Sequence, residues 1–252
     1  MRLHHRVDGP PDAPALVLSA SLGSTLAAWE PQAAALAGTF RVVRYDRRGH
    51  GGSEVPLGPY SLDDLGRDAL ELLDELEVER ASWCGLSLGG LVGMWLGVEA
   101  PERIDRLVLA CTAPAFPPRE QWLERAERVR AEGVAAIADA VVARWFTSGA
   151  AVELVGRFHE QLAATPAEGY AGCCEALADA DLTGRLKEVA APTLVLTGSD
   201  DPVVSAADGA ALAAAIPHAR HESIAAAAHL VSAEQPGAFT QAVLGHLTEE
   251  AR

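Results

Sequence analysis

Seven short stretches, LHHRV, ALVLSA, FRVVRY, ASWCGL, RLVLAC, TLVLTG and ARHESI, read as β-strands along the chain. Several are continuously apolar rather than alternating, the pattern of parallel strands covered on both faces. Between them the apolar positions recur with the helical period. In SLDDLGRDALELLDEL the set Leu62, Leu65, Ala69, Leu72, Leu73 and Leu76 falls on one helix face. Ser61 and Asp64 there form the acidic variant of a capping box and predict where that helix starts. Strand and helix alternate from residue 15 to about 111. The alternation predicts an α/β fold with a mostly parallel, doubly wound sheet.

The alternation then stops. From about residue 114 to 188, opening with APAFPP, the pattern is helical, and strand character returns only at PTLVLTG. This predicts a helical cap, 114–188, inserted late in the sheet of a core made of 1–113 and 189–252, the whole forming one domain. The alanine-rich runs GVAAIADAVVA and ADGAALAAAI keep helical spacing, and the chain holds no internal repeat.

Composition narrows the function. A chain of 252 residues with 49% hydrophobic and 22% charged positions suits one sizeable globular domain. The balance of 20 basic against 35 acidic residues, a net charge of −15, argues against nucleic-acid and anionic-membrane partners. An anionic ligand would have to be drawn in by a local cationic patch. No run approaches the roughly 18 apolar residues of a membrane span. The N-terminal MRLHHRVDGPPDAP has no apolar signal core, so a cytoplasmic location is expected. Cys84, Cys111, Cys173 and Cys174 match neither a disulfide framework nor a zinc spacing. They are expected to be reduced, buried thiols, with no metal and no cofactor.

The candidate chemistry starts at Gly85-Leu86-Ser87-Leu88-Gly89, where an apolar strand runs into an apolar helix. A serine on so tight a corner is lifted above the strand ends, at the positive end of the following helix. Such a hydroxyl needs a base, and the base needs a carboxylate to orient it. His229 follows the last strand, ahead of the final helix PGAFTQAVLGHL. His4, His5, His50, His159, His218, His221 and His246 occupy no equivalent position. Asp200 and Asp201 lie in the turn after TLVLTG, and either could serve as the acid. An oxyanion hole would use the Leu88 amide and one from the loop after ALVLSA, at Ser21 or Leu22.

Together these residues resemble the α/β-hydrolase superfamily over essentially the whole chain. Asp46 to Ser53, in YDRRGHGGS, is similar to its D-x-R-G-x-G-x-S turn. Its G-x-x-D element corresponds to Gly198-Ser199-Asp200-Asp201, which implies Asp201 as the acid of a triad with Ser87 and His229. Its G-x-x-H element becomes Ala226-Ala227-Ala228-His229, with alanine where glycine is usual. Within the superfamily, LHHRVDGPPDAPALVLSASLGSTLAAWEPQ, GLSLGGLVGMWLG, RWFT, GYAGCCEALADADL and AAHLVSAEQPGAF are similar to 3-oxoadipate enol-lactonases.

The resemblance implies hydrolysis of a small anionic lactone in bacterial aromatic catabolism. Its carboxylate calls for a cation, for which Arg144 in the cap is the candidate, beside Trp145. Trp29, following the oxyanion loop, is a candidate for shaping the site, with plain packing as its other reading. Two further functions fit the same residues: a general carboxylesterase or cofactor-independent perhydrolase, and a ligand receptor on a hydrolase fold.

Overall fold

The computed structural model describes residues 1–249. Its strands are β1 (His5–Asp8), β2 (Ala15–Ser19), β3 (Arg41–Tyr45), β4 (Ala81–Leu86), β5 (Ile104–Ala110), β6 (Thr193–Gly198) and β7 (Ala219–Ile224). The helices before the fifth strand are α1 (Glu30–Leu36), α2 (Leu62–Glu75) and α3 (Leu88–Glu99). Those between the fifth and sixth strands are α4 (Arg119–Glu132), α5 (Ala135–Val142), α6 (Val152–Ala163) and α7 (Ala167–Asp179). The last are α8 (Ala206–Ala215), α9 (Val231–Glu234) and α10 (Pro236–Leu247).

The strands form one sheet in the order β1-β3-β2-β4-β5-β6-β7, parallel throughout except for β1, which runs antiparallel to β3. The continuously apolar runs explain the arrangement. Every residue of β4 and β6 is buried, because helices cover both faces. The edge strand β7 instead exposes most of ARHESI, with Arg220, His221 and Glu222 along its length. Helix α3 is apolar all round and buried from Leu88 to Val98, the signature of a central helix rather than a surface one. Helix α2 shows the expected capping box, with the Ser61 hydroxyl accepting from the Asp64 amide and the Asp64 carboxylate accepting from the Ser61 amide.

Chain order reverses direction beside β2, since the chain goes from β2 outward to β3 and then returns to β4 on the other side. Such a switch point leaves a crevice at the carboxyl ends of the two strands, where open α/β sheets bind their ligands. Ser19 of β2 pairs in register with Gly85 of β4, so the loops that leave both strands start at one level. Helices α4 to α7 lie between β5 and β6 in sequence, and between residues 111 and 192 the only described bridge is a single pair, Ala115 with Asp181. Among the described helices none is long and apolar enough to cross a membrane.

Candidate active site

Ser87 sits between β4 and α3 with φ 54° and ψ −116°, a left-handed conformation that side chains rarely adopt. The neighbouring glycines make the corner possible. A methyl on Gly85 would lie 2.1 Å from the Gly89 carbonyl oxygen, and one on Gly89 would lie 2.1 Å from that of Ser19. The corner is also tied from outside. The Ser87 amide donates to the Ala110 carbonyl at 2.8 Å, and Thr112 Oγ1 donates to the Ser87 carbonyl at 2.8 Å. A strained serine persists only where its surroundings fix it in this way.

His229 and Asp201 reach each other from the loops after β7 and β6. His229 Nδ1 lies 2.9 Å from Asp201 Oδ2, with both side chains buried. The other Asp201 oxygen accepts from the Val203 amide at 2.7 Å, which fixes the carboxylate plane. Asp200 is exposed and its carboxylate accepts instead from Ser199 Oγ, so of the two adjacent aspartates it is Asp201 that meets the imidazole. With Nδ1 engaged by the carboxylate, Nε2 is left as the ring nitrogen available to a serine proton.

Ser87 and His229 line one cavity of about 210 Å³, together with Ser21 and Leu22 from the loop after β2. Leu88 opens α3, where an amide has no partner within its own helix. The cavity therefore gathers the hydroxyl, the imidazole and the strand-end loops that carry the three candidate oxyanion amides.

The opposite wall comes from the inserted helices and carries the charge. It includes Trp122 and Arg125 of α4, Arg144 and Trp145 after α5, and Tyr170 of α7. Burial lowers the pKa of Arg144, and the nearby Arg125 guanidinium lowers it further. The acidic side chains of this region do not relieve that repulsion, because Glu168 and Glu175 pair with Arg130. Among the described residues neither Arg125 nor Arg144 has a carboxylate within ion-pair reach. Two guanidinium groups face one cavity without a counter-charge, an arrangement that could hold an anion in a protein of net charge −15.

Of the two readings open for Trp29, the structure shows the packing one. Trp29 does not reach this cavity; it is fully buried, packed on Phe239 at 5.8 Å between ring centroids. An aromatic residue following the oxyanion loop has been drawn into the core by its area. Arg125, by contrast, was not singled out from the sequence. Its guanidinium lies 4.6 Å from the Trp122 ring centroid, and the i, i+3 spacing of the two was the available signal.

The four cysteines are free and buried, and burial raises their thiol pKa values. Cys111, Asp201 and His229 place possible ligand atoms within 4.8 Å of one another. Asp201 and His229 are already joined there by their own hydrogen bond.

Comparison with known proteins gives the chain a family. Residues 14–144 match the family described as alpha/beta hydrolase fold. The chain is 43% identical to 3-oxoadipate enol-lactonase 2 of Acinetobacter baylyi over 96% of its length and 91% of that protein. RutD of Pantoea ananatis, whose name gives carbamate hydrolysis as a provisional activity, is 32% identical over 95% of this chain and 90% of that protein. Among solved structures, the enol-lactonase from Burkholderia xenovorans LB400 superposes with a TM-score of 0.95 at 43% identity, covering 98% of this chain and 96% of that one.

Proposed function

The chain belongs to the α/β-hydrolase family, and from that premise we propose that it is a serine hydrolase that opens 3-oxoadipate enol-lactone to 3-oxoadipate. The reaction would serve bacterial breakdown of protocatechuate and catechol. Ser87 Oγ attacks the lactone carbonyl while its proton passes to His229 Nε2. Asp201 holds the imidazole tautomer and stabilises the imidazolium. The oxyanion is held by the Leu88 amide and an amide of the Ser21–Leu22 loop, each worth roughly 3 kcal/mol of barrier when well aimed. The ring C–O bond then breaks, the His229 imidazolium gives its proton to the departing enolate, and that end of the product becomes a ketone with the proton on carbon. A water deprotonated by the now neutral His229 attacks the acyl group, the acyl–Oγ bond breaks, and His229 returns the proton to Ser87 as the second carboxylate is released. No step calls for a metal or an organic cofactor.

One observation carries the substrate choice: the cavity that holds Ser87 and His229 is faced by two guanidinium groups, Arg125 and Arg144, with no counter-charge among the described residues. A small ring bearing a carboxylate fits that pairing better than a neutral ester, and the modest cavity favours a small ring over a long acyl chain. The relatives named as enol-lactonases point the same way. Steady-state kinetics on the enol-lactone, p-nitrophenyl acetate and a small carbamate ester test the reading. The lactone should lead the other two in kcat/KM by at least about 100-fold, the scale of one charge-assisted contact made only with the anion. A carbamate or neutral ester turned over as well as the lactone would overturn it.

A further inference from the structure

The turn from Asp46 to Ser53 contributes no side chain to the cavity, yet it grips the loop that carries the candidate oxyanion amides. Arg47 Nη2 donates to the Ala20 carbonyl. The Gly23 amide donates to His50 Nε2 at 3.0 Å, and the Leu26 amide donates to Asp46 Oδ1 at 2.7 Å. All three of these side chains are buried. Two of them are held in turn: His50 Nδ1 lies 3.3 Å from the Arg48 carbonyl, and Asp46 Oδ2 accepts from the Gly52 amide at 2.9 Å and meets His4 Nδ1 at 2.7 Å.

The positions of these bonds matter. The loop is pinned at residue 20 on one side and residue 23 on the other. Beyond that point the Ser24 amide donates to the Ser21 carbonyl and the Thr25 amide to Gln161 Oε1. Between the pins lie the amides of Ser21 and Leu22, which have no protein partner among the described residues. We infer that Asp46, Arg47 and His50 are positioning residues for hydrolysis, fixing the loop from 20 to 26 so that its two unpaired amides point at the oxyanion. The inference rests on the serine-hydrolase reading above and adds to it the groups that aim its oxyanion hole.

His50 is suited to the task. Burial and the adjacent Arg47 push its pKa down to about 3, so the ring stays neutral and Nε2 remains an acceptor for the Gly23 amide. A glutamine at this position keeps an acceptor oxygen at similar reach, whereas a leucine keeps the volume and removes it.

The test compares His50→Leu, His50→Gln and Arg47→Lys with the parent protein, using p-nitrophenyl acetate so that the outcome does not depend on the lactone. Phenylboronic acid reports the oxyanion hole separately. Ser87 Oγ bonds to boron, its proton passes to His229, and the boronate becomes a tetrahedral anion. His50→Leu should lower kcat by about 10- to 100-fold, below the 10²- to 10³-fold cost of deleting an oxyanion donor because the amide is displaced rather than removed. Its KM should stay within about twofold, and boronate affinity should fall in proportion to kcat/KM. His50→Gln should recover to within about threefold of the parent, and Arg47→Lys should lower kcat by about 10-fold, with boronate affinity falling in proportion to kcat/KM.

Should His50→Leu fail to fold, the Arg47→Lys and His50→Gln pair decides alone. Parent-like kcat in folded His50→Leu or Arg47→Lys, or a fall in kcat with boronate affinity unchanged, overturns the inference. If Ser87→Ala instead retains turnover, it is the hydrolytic reading that fails.

Discussion

The strand ends and the inserted helices face one another across a single cavity, and they are built differently. On the strand side, backbone does most of the positioning: a kinked serine, amides at the ends of β2 and β4, and an imidazole fixed by one carboxylate. On the helical side, long side chains do it, with Arg125 resting on Trp122 and Arg144 half-buried beside it. In the reaction we propose, chemistry that must be accurate to a fraction of an ångström falls to the rigid sheet, while charge recognition, which tolerates looser geometry, falls to the helices. The difference teaches that turnover and selectivity should be separable by mutation.

The largest effect should come from the strand side. Ser87→Ala is expected to reduce kcat by about 10⁵- to 10⁶-fold on every ester and lactone, since residues of such a constellation act as a unit. Single-turnover assays check this, and an equal loss on neutral and anionic substrates is what marks the strand side as indifferent to charge. On the helical side, Arg144→Ala should raise KM for the anionic lactone by about 10- to 100-fold, the cost of about 1.5 to 3 kcal/mol for a charge-assisted contact. Its kinetics on p-nitrophenyl acetate should stay within about twofold. A matching rise in KM for both substrates would break the division between the two walls.

The smallest effect concerns stability on the strand side alone. Ala226 adopts φ 52° in the loop that leads to His229, where an L side chain is strained. Ala226→Gly should relieve this strain and raise stability by about 1 kcal/mol, offset in part by the freer unfolded chain. Thermal unfolding should shift upward by about 2 to 4 °C, with kcat unchanged. A drop in melting temperature would mean that the surrounding bonds, including the one the Ala226 amide donates to Ser199 Oγ, select alanine for a reason other than backbone preference.

The same contrast explains what could be read from the chain. Parallel strands announce themselves as continuous apolar runs, and the serine corner announces itself through Gly85 and Gly89, because only glycine fits where backbone meets backbone. Spacing alone left Asp200 and Asp201 equivalent. It takes the fold to turn one toward His229 and the other toward Ser199. The helical wall was harder still. Helix α4 reads REQWLERAERVRAE, with four arginines, and the three-residue spacing from Trp122 that marks Arg125 is shared by Arg119, so it does not single out Arg125 as a cavity residue. Arg128 pairs within its own helix with Glu132, but Asp179, Glu168 and Glu175, the partners of Arg119 and Arg130, come from α7 and sort those arginines only after the two helices pack. His50 was set aside as a base for a related reason, since what its ring does is accept one amide, that of Gly23, 27 residues away.

One feature of the sheet bears on how the molecule behaves in a crowded cell. Its outermost strand β7 carries Arg220, His221 and Glu222 in a row, partly exposed at the open flank. A neighbouring chain that tried to add itself there would have to strip water from these side chains and break the pairs Arg220 makes with Glu222 and Glu249, which disfavours strand addition at this edge. The flank that could template aggregation is thereby kept hydrophilic.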